Sequence, residues 1–110
     1  MPLADNARKH ACQMLVDAVS DKAKDNTPAF CTGDFNATPD APEIATTICQ
    51  SGILKDAYRE ATIQHGALFT FPSKKTRIDF IFVKHATVLS TRTIVSSLSD
   101  HYPMVIVVEI

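Results

Sequence analysis

Near the C-terminus, Met104-Val-Ile-Val-Val108 is a run of five apolar residues, four of them branched at Cβ, between Pro103 and Glu109. Branching at Cβ costs χ1 freedom against the turn of a helix, whereas a pleated surface accommodates it. Successive side chains of a strand point to opposite faces, so an uninterrupted apolar run needs cover on both. The run therefore predicts a strand in the middle of a sheet. Arg77 to Val83 and Val88 to Ser96 have a similar character, so the last third of the chain is expected to form three strands.

The first two thirds read differently. Asp5 can cap a first helix running to about Ala23, with Ala11, Met14, Leu15, Ala18 and Val19 forming one apolar stripe. Asp25-Asn26-Thr27-Pro28 breaks it, and Ala29 to Thr32 is expected as a short buried strand ending at Gly33. Asp40 can cap a second helix, with Pro42 in its first turn and Glu43 placed as a capping-box acid. Ile44, Ile48 and Cys49 give that helix an inner side, and Ser51-Gly52 ends it. A short strand is expected at Leu68 to Phe71. The order of helix, strand, helix and then strands is α/β with an antiparallel tail.

A chain of 110 residues is large enough for one modest core, and residues 1–110 are read as one domain. A hydrophobic content of 45% with 21% charged residues excludes a disordered tail. The net charge of −1 argues against a broad basic surface that holds nucleic acid by charge alone. It leaves phosphate chemistry open, because a bound divalent cation supplies charge that a residue count misses. Cys12, Cys31 and Cys49 are odd in number with no C-x-x-C pair, which favours a reducing, cytoplasmic setting over a disulfide framework. Cys31 and Cys49 are expected as small core residues. The N-terminal residues have no secretory pattern, and the longest apolar stretch is too short to span a membrane.

Three segments have the composition of a site: Gly33-Asp-Phe-Asn36, Arg77-Ile-Asp-Phe-Ile-Phe82 and Ser99-Asp-His-Tyr-Pro103. The first and third are also ordinary turn chemistry. Asp79 is harder to explain as structure, because it interrupts an apolar strand on the same side as Ile81 and Val83. A carboxylate there needs a partner, and His101, just ahead of the last strand, is the natural one. Asp34, Asn36, Asp79, Asp100 and His101 all fall at or near strand ends, where α/β sheets collect functional groups. Two free carboxylates suit Mg²⁺, a hard cation that keeps waters for phosphate to replace. A histidine oriented by an aspartate can act as acid, base or phosphate donor, and an asparagine amide can donate to a phosphoryl oxygen.

In order and spacing, Thr32-Gly-Asp-Phe-Asn-Ala-Thr-Pro-Asp40, Arg77-Ile-Asp-Phe-Ile-Phe-Val83 and Ser99-Asp-His-Tyr-Pro103 resemble the last three motifs of the endonuclease/exonuclease/phosphatase (deoxyribonuclease I-like) superfamily. Ile53-Leu-Lys-Asp-Ala57 and Thr70-Phe-Pro-Ser73 are similar to its bacterial members, so the resemblance covers nearly the whole chain. It implies the C-terminal half of a four-layer α/β/β/α sandwich, expected here as one mixed or antiparallel sheet with two helices on one face. It implies a metal-dependent phosphoesterase, of nuclease or phosphodiesterase type or acting on a phosphomonoester, that works by in-line attack of water. Asp34 would activate or orient that water, and Asn36 would hold the scissile phosphate. Asp79 would fix the ring of His101, which contacts the phosphate in the transition state. Asp100, with Asp34, would bind Mg²⁺, or Mn²⁺ in its place. Arg77 reads as a surface arginine, and His10, His65 and His85 as solvated.

The family's earlier motifs, including a metal-binding glutamate and a mid-chain catalytic histidine or tyrosine, have no counterpart here. Met1-Pro-Leu is expected to fall just after the mid-chain motif, and the isolated chain to be inactive. The alternative is a non-catalytic binding or assembly module that keeps the half-fold. Expected partners are a phosphate-ester substrate (nucleic acid, or a phospholipid or inositol headgroup) and cover for an open apolar sheet face. That cover would come from the missing N-terminal half or from a second copy in a homodimer.

Overall fold

A computed structural model describes the backbone of residues 2–22 and 25–110 and the side chains of residues 6–21 and 25–110. Helix α1 spans Pro2–Lys22. It begins ahead of Asp5, so that residue lies within the helix; its side chain, and Ala23 at the expected end, lie outside the described residues. The inward stripe is Cys12, Leu15, Val16 and Val19, again at i, i+3, i+4 and i+7. It is turned by about one position from the expected stripe: Ala11, Met14 and Ala18 face outward. The turn brings Arg8 over the second helical segment, where its Nε donates to Glu43 Oε2 at 2.8 Å.

That segment is a wide π-type turn, Glu43–Ile48, followed by a tight turn, Cys49–Ser51. The expected cap at Asp40 is not made. Its carboxylate accepts from Thr38 Oγ1 at 2.6 Å, and Pro42 begins the turn with no side-chain cap. Glu43, expected in a capping box, is instead 3% exposed and held by Arg8. Gly52 ends the segment in the left-handed conformation, φ 76°, that glycine adopts without penalty.

Six strands among the described residues follow the expected α/β class; the first and the last three have bounds close to those read from sequence, and the other two were not expected. Strand β1 spans Ala29–Asp34, β2 Lys55–Asp56, β3 Ile63–Gly66, β4 Asp79–Lys84, β5 Thr87–Thr93 and β6 Met104–Glu109. They are divided between two three-stranded sheets, β1-β4-β2 and β3-β5-β6, where one sheet was expected. Between β4 and β5 the chain turns at His85, φ 57°, and passes from the first sheet to the second. A short helix, α2 (Ala57–Glu60), is capped by Asp56, whose side chain accepts from the Tyr58 amide. Leu68 to Phe71 is not a strand. Phe71 makes one bridge to Thr76, and the strand lies earlier, where β3 runs parallel to β5.

One core fills the space between the helices and the first sheet. Phe80, Phe82, Ile44, Ile48 and Leu54 are each at most 1% exposed, and Phe35 sets its edge against both phenylalanines at 5.7 and 5.1 Å. Each such side chain contributes roughly 1.5–3 kcal/mol by leaving water. Cys12 lies in this core, and Cys31 and Cys49 pack against it as expected. A second cluster of Ala57, Val83 and Val88, joined by Ile81, Ile106 and Val108, brings the two sheets together.

Strand β6 pairs only with β5 among the described residues, so the run that predicts a central strand forms an edge. Its register puts Val107 opposite Ser90 and Val105 opposite Arg92, on the side of the sheet away from Ile106 and Val108. Val105, Val107, Leu89 and Ile63 are 41–51% exposed. The open apolar face expected from sequence is thus present on the second sheet.

Gly66, at φ 86°, closes β3 against β5, and a Cβ there would lie 1.9 Å from the Thr93 carbonyl oxygen. Gly66→Ala is expected to cost more than about 1 kcal/mol, because an unfavourable φ adds to a backbone clash. Urea denaturation of the two proteins measures it; equal midpoints would contradict the pairing.

Candidate active site

Strands β1 and β4 run antiparallel, and their register sets Asp34 directly opposite Asp79. Like charges in that relation repel, so the pair needs a positive group. His101 lies against both. Its Nδ1 lies 2.7 Å from Asp79 Oδ2 and its Nε2 lies 3.7 Å from Asp34 Oδ2. The pairing of Asp79 with His101 expected from sequence is therefore present. The side chains of His101 and Asp79 are 27% and 23% exposed, so water reaches the pair.

Local sequence explains each position. Gly33 and Asn36 permit the sharp exit from β1: Asn36 sits at φ 54°, where asparagine is tolerated, and its amide donates to Asp34 Oδ1 at 2.8 Å. Ser99 Oγ accepts from the His101 amide at 3.2 Å and donates to Asp100 Oδ1 at 3.3 Å, shaping the loop ahead of β6. The ring of Phe71 lies 4.9 Å from that of His101.

Thr70 was not singled out in the sequence, yet it joins the parts. It is fully buried, and its Oγ1 accepts from the amides of both Ile78 and Asp79 at 3.1 Å. Its carbonyl accepts from the Tyr102 amide at 2.7 Å. One residue thus ties Asp79 to the loop that carries His101. Its sequence signal was its place at the head of Thr70-Phe-Pro-Ser73, a segment noted for resemblance but given no role. Arg77 departs from its surface reading: it is 8% exposed and grips Asp56 through two nitrogens, at 2.8 and 3.2 Å. His10, His65 and His85 are exposed, as expected.

Asn36 is exposed beside Asp34, and it lines a cleft of about 460 Å³ together with Phe71. Asp79 and His101 line a second cleft of about 600 Å³. Asp34, Asp79 and His101 each offer one ligand atom within 4.8 Å of the others. Asp100 is exposed at the rim and stands outside that group.

The bond to Asp79 holds the His101 imidazolium above its ordinary pKa, outweighing burial, and the charges of Asp79, Asp34 and Asp100 add to it. A folded-state pKa above the unfolded one gives stability that is complete below the unfolded value, near 6.5. That stability is lost as pH rises through the folded value. His101 is expected to titrate above 6.5 by NMR, and Asp79→Asn to bring it down. A histidine whose titration ignores that change would not be held by Asp79.

The family model for the endonuclease/exonuclease/phosphatase family matches residues 2–101. This chain belongs to that family. No curated protein matches the sequence. Among solved structures it is similar to an endonuclease/exonuclease/phosphatase from Bacteroides vulgatus, at 30% identity and TM-score 0.85. The match covers 96% of this chain and 44% of that one. A mannosyl-6-phosphatase from Bacteroides thetaiotaomicron shares the fold at TM-score 0.82 and 22% identity, over 96% of this chain and 46% of its own. A conserved protein of unknown function from Enterococcus faecalis shares it at TM-score 0.74 and 24% identity, over 96% and 45%. The chain thus spans less than half the length of each of these three structures.

The residues present fit a divalent cation. Two facing carboxylates are a poor arrangement without positive charge, and their oxygens are the donors a hard ion prefers. His101 is a weaker candidate ligand, since its Nδ1 is engaged by Asp79.

Proposed function

We propose that residues 1–110 form one domain part that supplies the C-terminal share of a Mg²⁺-dependent phosphoesterase site, Mn²⁺ serving in place of Mg²⁺. The observation that carries this reading is the alignment of Asp79, His101 and Asp34, with Asp79 and His101 in the wall of one cleft, in a chain of a phosphoesterase-type family. In this reading Asp79 fixes the imidazole through Nδ1, so that Nε2 faces the reacting group. Protonated, Nε2 donates to a phosphoryl oxygen; above its raised pKa it accepts. Asp34 orients the attacking water, and Asn36 donates its amide to the phosphate. Asp34, whose oxygen lies in the cluster with Asp79 and His101, would hold the metal, with Asp100, outside that cluster, as the further ligand expected from sequence; a bound metal would neutralise phosphoryl charge.

The test is a chimera in which this chain replaces the matched portion of the mannosyl-6-phosphatase. Hydrolysis of mannose 6-phosphate with Mg²⁺, abolished by Asp34→Ala, is the expected result. The isolated chain should be at least about 100-fold slower, the scale of one missing catalytic group. A folded chimera with no turnover under Mg²⁺ or Mn²⁺ overturns the reading.

No described helix is long and apolar enough to cross a membrane. We place the protein in the cytoplasm, in keeping with its three free cysteines. The open face of the second sheet calls for cover by the rest of a longer domain or by a second copy. Light scattering is expected to show the mass of the isolated chain rising with concentration; a constant monomer mass excludes the homodimer.

A further inference from the structure

The two clefts beside the acid–histidine cluster differ in charge. The one lined by Asp79 and His101 has no lysine or arginine in its wall, and Leu98, Tyr102 and Met104 give it an apolar side. The other brings Lys9 from α1 and Lys74 from the 72–75 turn to one cavity of about 460 Å³. Arg8 and Glu43 also line it, but they are bonded to one another at 2.8 Å and cancel. Two exposed ammonium groups therefore dominate its charge, while the chain as a whole carries −1. Asn36 and Thr76 add side chains able to donate to an oxyanion.

Two residues of its wall touch the cluster. Asn36, on its wall, gives its amide to Asp34, and Phe71, also on its wall, packs on the His101 ring. In the hydrolase reading, a substrate whose phosphate sits at the cluster would extend its leaving group past these two residues towards the lysines. We infer that the Lys9–Lys74 cleft binds a second phosphate, so that the substrate is a small organic molecule carrying two phosphate groups. Its role as a leaving-group subsite rests on the hydrolase reading, but its affinity for an anion does not. The size of the cavity and the absence of a broad basic surface favour a small molecule over a nucleic-acid strand.

The test is a titration of the full chain with inorganic pyrophosphate, followed by amide NMR in EDTA so that no divalent ion contributes. Saturable shifts are expected at Thr38, Lys74 and Thr76. A Lys9→Gln/Lys74→Gln double variant should weaken binding at least ten-fold, while Arg92→Gln, exposed on the second sheet, changes it less than two-fold. Both lysines are exposed, so the double variant keeps its fold, and its dispersed spectrum checks that. In a separate titration with Mg²⁺ present, a hexose bisphosphate should displace pyrophosphate at least ten-fold better than the hexose monophosphate. Absence of saturable shifts, or binding that survives loss of the lysines, overturns the inference. So does a single-stranded oligonucleotide that competes better than the bisphosphate. A chimera without turnover would end the hydrolase reading and leave this binding result standing.

Discussion

Arg77→Ala is expected to destabilise the chain by about 3–5 kcal/mol, because it leaves Asp56 buried without its counter-charge. The side chains of Arg77 and Asp56 are only 8% and 3% exposed, so water cannot replace the lost partner. The guanidinium also lies over the Tyr58 ring at 4.4 Å and the Phe80 ring at 5.0 Å, contacts that alanine removes. A small domain has about 5–15 kcal/mol in hand, so the variant should unfold at low denaturant or express poorly. Replacing both partners together by apolar residues of similar volume should recover most of the loss, since no orphan charge remains. Urea midpoints for the single and paired variants decide it. A loss below about 1 kcal/mol for Arg77→Ala would mean that solvent enters the site, as it does for surface ion pairs.

The second large effect concerns chemistry. In the chimera with the mannosyl-6-phosphatase, His101→Ala should lower kcat by about 10²–10⁴, the usual range for a positioned acid or base. Asp79→Asn should keep the ring in place but lower its pKa, moving the pH profile to lower values as well as slowing turnover. That shift separates a positioning role from simple loss of fold, which would change amount and not profile. Unchanged kcat for His101→Ala would remove His101 from the reaction.

Short-range pattern carried the strands and the acid–histidine pair. Asp79 was legible because a carboxylate inside Ile78-Asp79-Phe80-Ile81 violates the local rule, and such violations point to partners. Arg77 was not, because its partner Asp56 lies 21 positions away and nothing local distinguishes a buried arginine from a solvated one. The inward stripe of α1 was misplaced for a related reason: apolarity favours Ala11, Met14 and Ala18, but the contact between Arg8 and Glu43, 35 positions apart, helps set the rotation. Strand β3 was missed because a parallel pairing depends on β5, far along the chain. The β-branched run of β6 reported its conformation correctly, while its place at an edge is a property of the whole sheet arrangement. Asp40 was a plausible cap, but Thr38 lay nearer to its carboxylate.

The double acceptance by Thr70 Oγ1 has a consequence for time as well as shape. The amides of Ile78, Asp79 and Tyr102 all end on this one buried residue. Their exchange with deuterium therefore clocks a single opening event in which the two halves of the catalytic cluster part together. Once each is corrected for its intrinsic rate, the three amides should share one protection factor, which measures the free energy of opening the cluster with no substrate and no turnover needed to read it.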